Sequence, residues 1–176
     1  MKLGIIGCGY WGPNLIRNFN SINGVNMACC ADLDEKRLSH VKSLHPGIGA
    51  ARDYHSILQN KEIEAVVIAT PVETHHKIAS DALKANKHVL IEKPITSSSK
   101  DAAELIRLAE KNKKILMVDH TFEYSAPVRK IKEILKSNEL GSIMTIDMIR
   151  VNLGLFQEKI NVILDLAPHD VSMLLY

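Results

Sequence analysis

Five short runs in this chain, residues 2–6, 25–31, 65–69, 88–91 and 115–119, are continuously apolar apart from Lys2, Asn26, His88 and Asp119, instead of alternating with polar residues. A strand with one wet face alternates, so continuous apolar runs belong to strands covered on both faces, as in a parallel sheet. Segments 13–20, 34–44, 54–59, 74–86 and 99–112 place apolar residues three or four apart with mixed charges outside; Ala102, Leu105, Ile106 and Ala109 show the spacing. Strand and helix therefore take turns, which predicts an α/β fold built on a doubly wound parallel sheet with right-handed crossovers. On such sheets ligands bind beyond the carboxyl ends of the strands.

Those ends carry polar chemistry. The first run leads into Gly7-Cys8-Gly9-Tyr10-Trp11-Gly12 and then a helix, the context in which a Gly-x-Gly-x-x-Gly pattern reads as a dinucleotide loop of Rossmann type. Gly7 allows the tight turn, Gly9 lets the backbone approach a pyrophosphate and Gly12 lets helix and strand pack closely, with Tyr10 and Trp11 inside the same loop. Asp32 ends the second run 20 residues past Gly12, the spacing at which a carboxylate accepts hydrogen bonds from the adenosine ribose. A carboxylate there disfavours a 2′-phosphate, so NAD is expected over NADP, with Lys36 and Arg37 softening the preference. The alternative is that Asp32 or Asp34 caps the next helix. Thr70-Pro71 ends the third run beside the glycine loop, as a cofactor contact or as an ordinary turn. His75, one turn further, reads as a helix-surface residue and not a catalyst, and is counted with the cofactor contacts.

Glu92-Lys93-Pro94 closes the fourth run. A lysine between a buried strand and a proline gains little from packing and loses hydration. Beside an oxidised nicotinamide, like charge and partial burial would lower its pKa toward the range useful for proton transfer or for hydrogen bonding a substrate hydroxyl. Glu92 could position Lys93 or touch the nicotinamide ribose; the alternative is a solvated Glu-Lys pair. Asp165 and His169 are four apart, so on a helix they share a face that can carry a base and its orienting carboxylate. An N-cap aspartate and a surface histidine would read the same way.

With 176 residues, 46% hydrophobic and 24% charged, the chain has room for one full domain and a fragment. A net charge of +2 without a block of like charges does not point to nucleic acid. The apolar runs fall far short of the ~20 residues that span a bilayer, and Met1-Lys2 leads straight into a strand, so no membrane contact and a cytoplasmic location are expected. Cys8, Cys29 and Cys30 are an odd set without C-x-x-C spacing, and His75-His76 diverge by about 100 degrees on a helix. Neither a disulfide framework nor a metal site is expected.

After residue 119 the rhythm changes: a loop over 120–125, a helix over 126–137, a turn at Gly141, a strand over 142–152 and a last helix from about Leu164 to Tyr176. The strand alternates Ile143, Thr145, Asp147 and Ile149 against Met144, Ile146 and Met148, so it belongs to another sheet. Residues 1–120 are expected as an NAD(P)-binding Rossmann domain and 121–176 as the beginning of a second, α+β domain for substrate binding and oligomerisation.

The glycine loop, Ala31-Asp32, Ala69-Thr70-Pro71 with Thr74-His75, Glu92-Lys93-Pro94, and Asp165 with His169 together resemble the Gfo/Idh/MocA family of sugar and cyclitol dehydrogenases, along essentially the whole chain. The resemblance implies Lys93 and His169 as the catalytic pair, with Asp165 assisting or binding sugar. It implies hydride transfer between a sugar hydroxyl carbon and NAD, and a homo-oligomer, which unpaired sheet edges also favour. The stretch 150–156 is further similar to members that oxidise UDP-linked N-acetylhexosamines or their uronates. The family's second domain is larger than residues 121–176 supply, so the chain reads as truncated. A non-catalytic NAD-binding module, or a subunit completed by a partner chain, is the rival reading.

Overall fold

The five apolar runs and one strand they do not announce form a single sheet in the computed structural model, which describes residues 1–151 and 160–176. The elements of its first part are β1 (Lys2–Ile6), α1 (Gly12–Asn20), β2 (Asn26–Ala31), α2 (Glu35–Leu44), β3 (Gly49–Ala51), α3 (His55–Gln59), β4 (Ala65–Ile68), α4 (Val72–Lys84), β5 (His88–Ile91), α5 (Ser99–Lys111) and β6 (Leu116–Val118). The strands are parallel in the order β3-β2-β1-β4-β5-β6, so the winding reverses between β1 and β4. Sheets of this kind open a crevice at that reversal. The register pairs Ile6 with both Ala31 and Ile68, Ile68 with Ile91, and Ile91 with Val118, so the strands end flush.

Strand β3 is not legible in the sequence because Gly49-Ala50-Ala51 carries no apolar run. It is a three-residue edge strand, held to β2 by backbone pairing of 49–51 with Cys29–Ala31.

Both faces are covered, as continuous apolar strands require. Ile6, Ala31, Val66, Ile68, Val89 and Ile91 pack with Ile57 and Leu58 of α3, Ile78, Ala79, Ala82 and Leu83 of α4, and Leu105 and Ala109 of α5. Leu3, Ile5, Met27, Cys30 and Val67 pack on the other face with Ile16 of α1 and Leu38 and Val41 of α2. Each fully buried Ile or Leu contributes roughly 1.5–3 kcal/mol of transfer free energy. Cys29 and Cys30 point to opposite faces, and all three cysteines are free.

Helix ends follow local chemistry. The Asp34 carboxylate caps α2 by accepting from Lys36 N at 2.8 Å. Asn86 turns left-handed (φ 61) after α4, which lets Lys87 N donate back to Ala82 O at 3.0 Å.

The chain divides into two compact units, Met1–Asp119 and His120–Tyr176. The second contains a 3-10 turn (Thr121–Tyr124), α6 (Ala126–Lys136) and α7 (Val162–Leu175). The expected strand over 142–152 is a correction: residues 142–151 form no strand, and Asn152 lies outside the described residues. Alternation prepares a segment for a sheet, but a strand exists only where a neighbour takes its backbone hydrogen bonds, and no described residue of this unit offers one. The described part of the second unit is therefore helix and loop, not α+β.

Candidate functional site

Four expected site segments leave the sheet along one edge: Gly7–Gly12 after β1, Asp32 after β2, Thr70-Pro71 after β4 and Glu92-Lys93-Pro94 after β5. Gly7 has φ 99, a conformation that suits glycine, and its N–H donates to Ala31 O at 2.8 Å. A Cβ at Gly7 would strike the Ala69 carbonyl, and one at Gly12 would lie 2.5 Å from Gly7 O. Backbone is therefore in the way at both positions, which is why the loop needs glycine there. At Gly9 the sole neighbour within 4 Å of a built Cβ is the flexible end of Arg37, at 3.7 Å. The loop feeds α1, whose N-cap residue Trp11 makes no side-chain cap and whose first turn holds no acid. A helix start of this kind suits a phosphate group. Tyr10 and Trp11 are exposed beside it, in edge contact at 5.2 Å between ring centres.

Asp32 does not cap α2; Asp34 does. The Asp32 carboxylate instead braces the loop, accepting from Cys8 N at 2.7 Å and from Asp34 N at 2.8 Å. Arg37 lies 3.7 Å from both Asp32 and Asp34. Each Asp32 oxygen keeps a lone pair after these bonds, so ribose hydroxyls can still donate to it. The Cys8 thiol is pushed up by its hydrogen bond with Cys30 and by burial, which keeps it neutral within the loop.

At the end of β4, Thr74 Oγ1 lies 2.7 Å from both Thr70 Oγ1 and Pro71 O, closing the turn into α4. His75 departs from expectation. It is 1% exposed, with Nε2 2.8 Å from Thr70 O and Nδ1 3.0 Å from Pro94 O. It is therefore no helix-surface residue, and its enclosed ring offers no face to a cofactor. The sequence signal misled because α4 turns that position inward, between two loops that a single-helix reading does not see.

At the end of β5, burial first and then the neighbouring Asp119 charge push the Glu92 carboxyl up to about 7. Glu92 can thus give or take a proton near neutrality. Lys93 follows it and is partly buried, joined to Pro94 by a cis peptide bond.

Asp165 and His169 belong to the second unit, on α7, whose N-cap residue Asn161 accepts from Leu164 N through its side chain at 2.9 Å. Helical geometry puts them on one face. The His169 ring packs edge-on to Phe122 at 4.8 Å. Arg150 lies 5.0 Å from that same Phe122 ring and grips Asp170 through Nε (2.9 and 3.0 Å) and Nη2 (2.7 Å). This fork holds the Asp170 carboxyl below the usual carboxylate range. Phe122, Arg150 and Asp170 were not singled out from sequence as a cluster; an arginine before a helix carrying adjacent His and Asp is the available signal. The similarity stretch 150–156 lies mostly outside the described residues.

Among the described residues, no group of three His, Cys, Asp or Glu side chains is placed to hold a metal, and no helix is long and apolar enough to cross a membrane.

Comparison with known proteins agrees with this geometry. Residues 1–120 match the GFO_IDH_MocA family, described as an oxidoreductase family with an NAD-binding Rossmann fold. The chain is 27% identical to myo-inositol 2-dehydrogenase of Thermotoga maritima, across 100% of this chain and 54% of that protein. It is 30% identical to inositol 2-dehydrogenase of Salmonella typhimurium, over 80% of this chain and 43% of the relative. An oxidoreductase from Agrobacterium radiobacter, solved with NAD+, L-tartaric acid and magnesium, superposes with a TM-score of 0.76 at 27% identity, over 81% of this chain and 42% of its own. The chain spans about half the length of the curated relatives it matches.

Proposed function

The chain belongs to the Gfo/Idh/MocA oxidoreductase family, with its NAD-binding Rossmann fold, and we propose that it serves the NAD-dependent oxidation of a hydroxyl on a small polyol, with a cyclitol of the inositol kind as the leading substrate class. The observation that carries the proposal is Glu92-Lys93-Pro94 at the end of β5, on the same sheet edge as the glycine loop and Asp32. The cofactor contacts are Gly7, Gly9, Tyr10, Trp11, Gly12, Asp32, Thr70, Pro71, Glu92 and Lys93. NAD is preferred to NADP because the Asp32 carboxylate would repel a 2′-phosphate, against which Arg37 supplies one nearby positive charge.

Bound nicotinamide supplies the hydride acceptor. The Lys93 amine hydrogen-bonds the substrate hydroxyl and stabilises the oxygen as its proton leaves. His169 takes that proton while the C–H bond breaks and C=O forms, its ring steadied by Phe122. Asp165 assists it or binds a second hydroxyl. Glu92 holds Lys93 or a ribose hydroxyl.

The inositol class is favoured by relatives named as inositol dehydrogenases. A nucleotide-linked sugar is the second reading, supported by the similarity of stretch 150–156. A cofactor-binding module without turnover is the third. Cytoplasmic residence and self-association belong to the leading reading, and sedimentation of the purified chain tests the latter. The function is tested by following reduced nicotinamide with NAD and a panel of inositols, UDP-N-acetylhexosamines and uronates. Turnover of an inositol that vanishes in Lys93→Met supports the reading; NAD binding without turnover of any substrate contradicts it and favours the binding module.

A further inference from the structure

His75 is sealed between two turns of the candidate site, with one carbonyl facing each ring nitrogen: Thr70 O at Nε2 (2.8 Å) and Pro94 O at Nδ1 (3.0 Å). A buried imidazole that made neither bond would lose its hydration with nothing in return, so these contacts decide where the ring sits. They join elements that are far apart in sequence and adjacent in the sheet. Thr70 follows β4, and Pro94 follows β5 by way of Glu92 and Lys93. The Thr70 side is already braced by the Thr74 hydroxyl, through Thr70 Oγ1 and Pro71 O, each at 2.7 Å. On the Pro94 side, Thr96 Oγ1 donates to Ser98 O at 2.7 Å, two residues beyond. His75 thus links a braced turn to the segment that carries Lys93.

Burial pushes the imidazole below its usual pKa, while the backbone of Pro94, Thr70 and Ile95 and the Glu73 charge pull it upward. A neutral ring donates one N–H and an imidazolium donates two.

We infer that His75 is a positioning residue: seated against the Thr70 turn, its ring donates Nδ1–H to Pro94 O and so fixes the backbone at Lys93, without touching cofactor or substrate. The inference rests on the reading of Lys93 as the group that binds the reacting hydroxyl. Displacing such a group by about an ångström can cost on the order of a hundredfold in rate.

Two amide substitutions separate the two contacts. The Asn amide nitrogen falls near the Nδ1 position, so His75→Asn keeps a donor to Pro94 O. The Gln amide nitrogen reaches the Nε2 position, so His75→Gln loses that donor and faces Thr70 O instead. The expected result is that His75→Gln lowers kcat about tenfold or more with NAD affinity little changed, whereas His75→Asn keeps most of kcat. The carbonyl 13C shift of Pro94, read on the same proteins by NMR, should move in His75→Gln and stay near the wild-type value in His75→Asn. If both variants match wild type, or lose kcat and NAD affinity equally and only in step with Tm, His75 is part of the scaffold and the inference fails. A wild-type chain that binds NAD but oxidises no polyol would overturn the functional reading instead; the Pro94 carbonyl shift would then still decide whether the tie exists.

Discussion

Between Leu3 and Ala109 the first unit holds every buried hydrophobic side chain among the described residues, whereas the second, from His120 onward, buries only Ser172 and leaves Ile131, Leu135, Leu140 and Met144 exposed. The first is held by apolar surface removed from water on two faces of a sheet. The second is held by directional contacts: the Arg150–Asp170 fork, the Phe122 ring against Arg150 and His169, and Lys132 Nζ 3.3 Å from the centre of the Tyr176 ring. Apolar burial sums over many residues and tolerates small displacements. A fork of hydrogen bonds fails when one partner goes, so the two units should respond differently to mutation and to pH.

The largest expected effect separates binding from chemistry. Lys93→Met should lower kcat by about a thousandfold while NAD affinity stays within a few fold, because the loop, Asp32 and the start of α1 remain intact. Parallel loss of NAD binding would mean that Lys93 acts chiefly as a cofactor contact and not on the reacting hydroxyl.

Core truncation comes next. Leu83→Ala, at a fully buried position of α4, should cost about 2–5 kcal/mol in denaturant unfolding. Leu135→Ala, on the partly exposed face of α6, should cost about 0.5 kcal/mol or less. Similar costs at the two sites would erase the distinction between the units.

The pH responses should have opposite signs. The folded pKa of Glu92, about 7, is above the ordinary 4.5, so the fold disfavours its ionised form. Its penalty is absent below the unfolded value and grows as pH rises toward 7, reaching up to roughly 3 kcal/mol. Glu92→Gln should flatten that loss in unfolding measured across this range. The Asp170 carboxyl is held below 3.8 by Arg150, so its contribution is present above about pH 4 and is lost as pH falls through the folded value.

The smallest effect is Asp170→Asn, which should cost about 1 kcal/mol, since both partners of the fork are roughly a quarter exposed. Faster hydrogen exchange of the α7 amides, with β1 and β4 unchanged, is the expected signature.

These contrasts also mark what could be read in advance. The sheet was legible because its strands are buried on both faces, so each wrote a continuous apolar run; β3 wrote none, since an edge strand of Gly-Ala-Ala has little to bury. Gly7 and Gly12 were legible because backbone contact excludes any other residue at those positions. Asp32 was read as a ribose acceptor or a cap, and only the structure separated its bracing bond to Cys8 N from the capping done by Asp34. His75 was misread because its partners, Thr70 and Pro94, come together only when β4 and β5 pair. The strand expected from residue 142 failed for the same reason in reverse: its alternation is local, while strand pairing is not.

The central claim, that the carboxyl edge of this sheet is an NAD site governed by Asp32, is tested most directly by calorimetric titration of the wild-type chain and Asp32→Ala with NAD and with NADP. One NAD per wild-type chain, bound more tightly than NADP, with affinity falling about tenfold and the preference lost in the variant, is the predicted result. No NAD binding, or NADP binding at least as tight to the wild type, would contradict it.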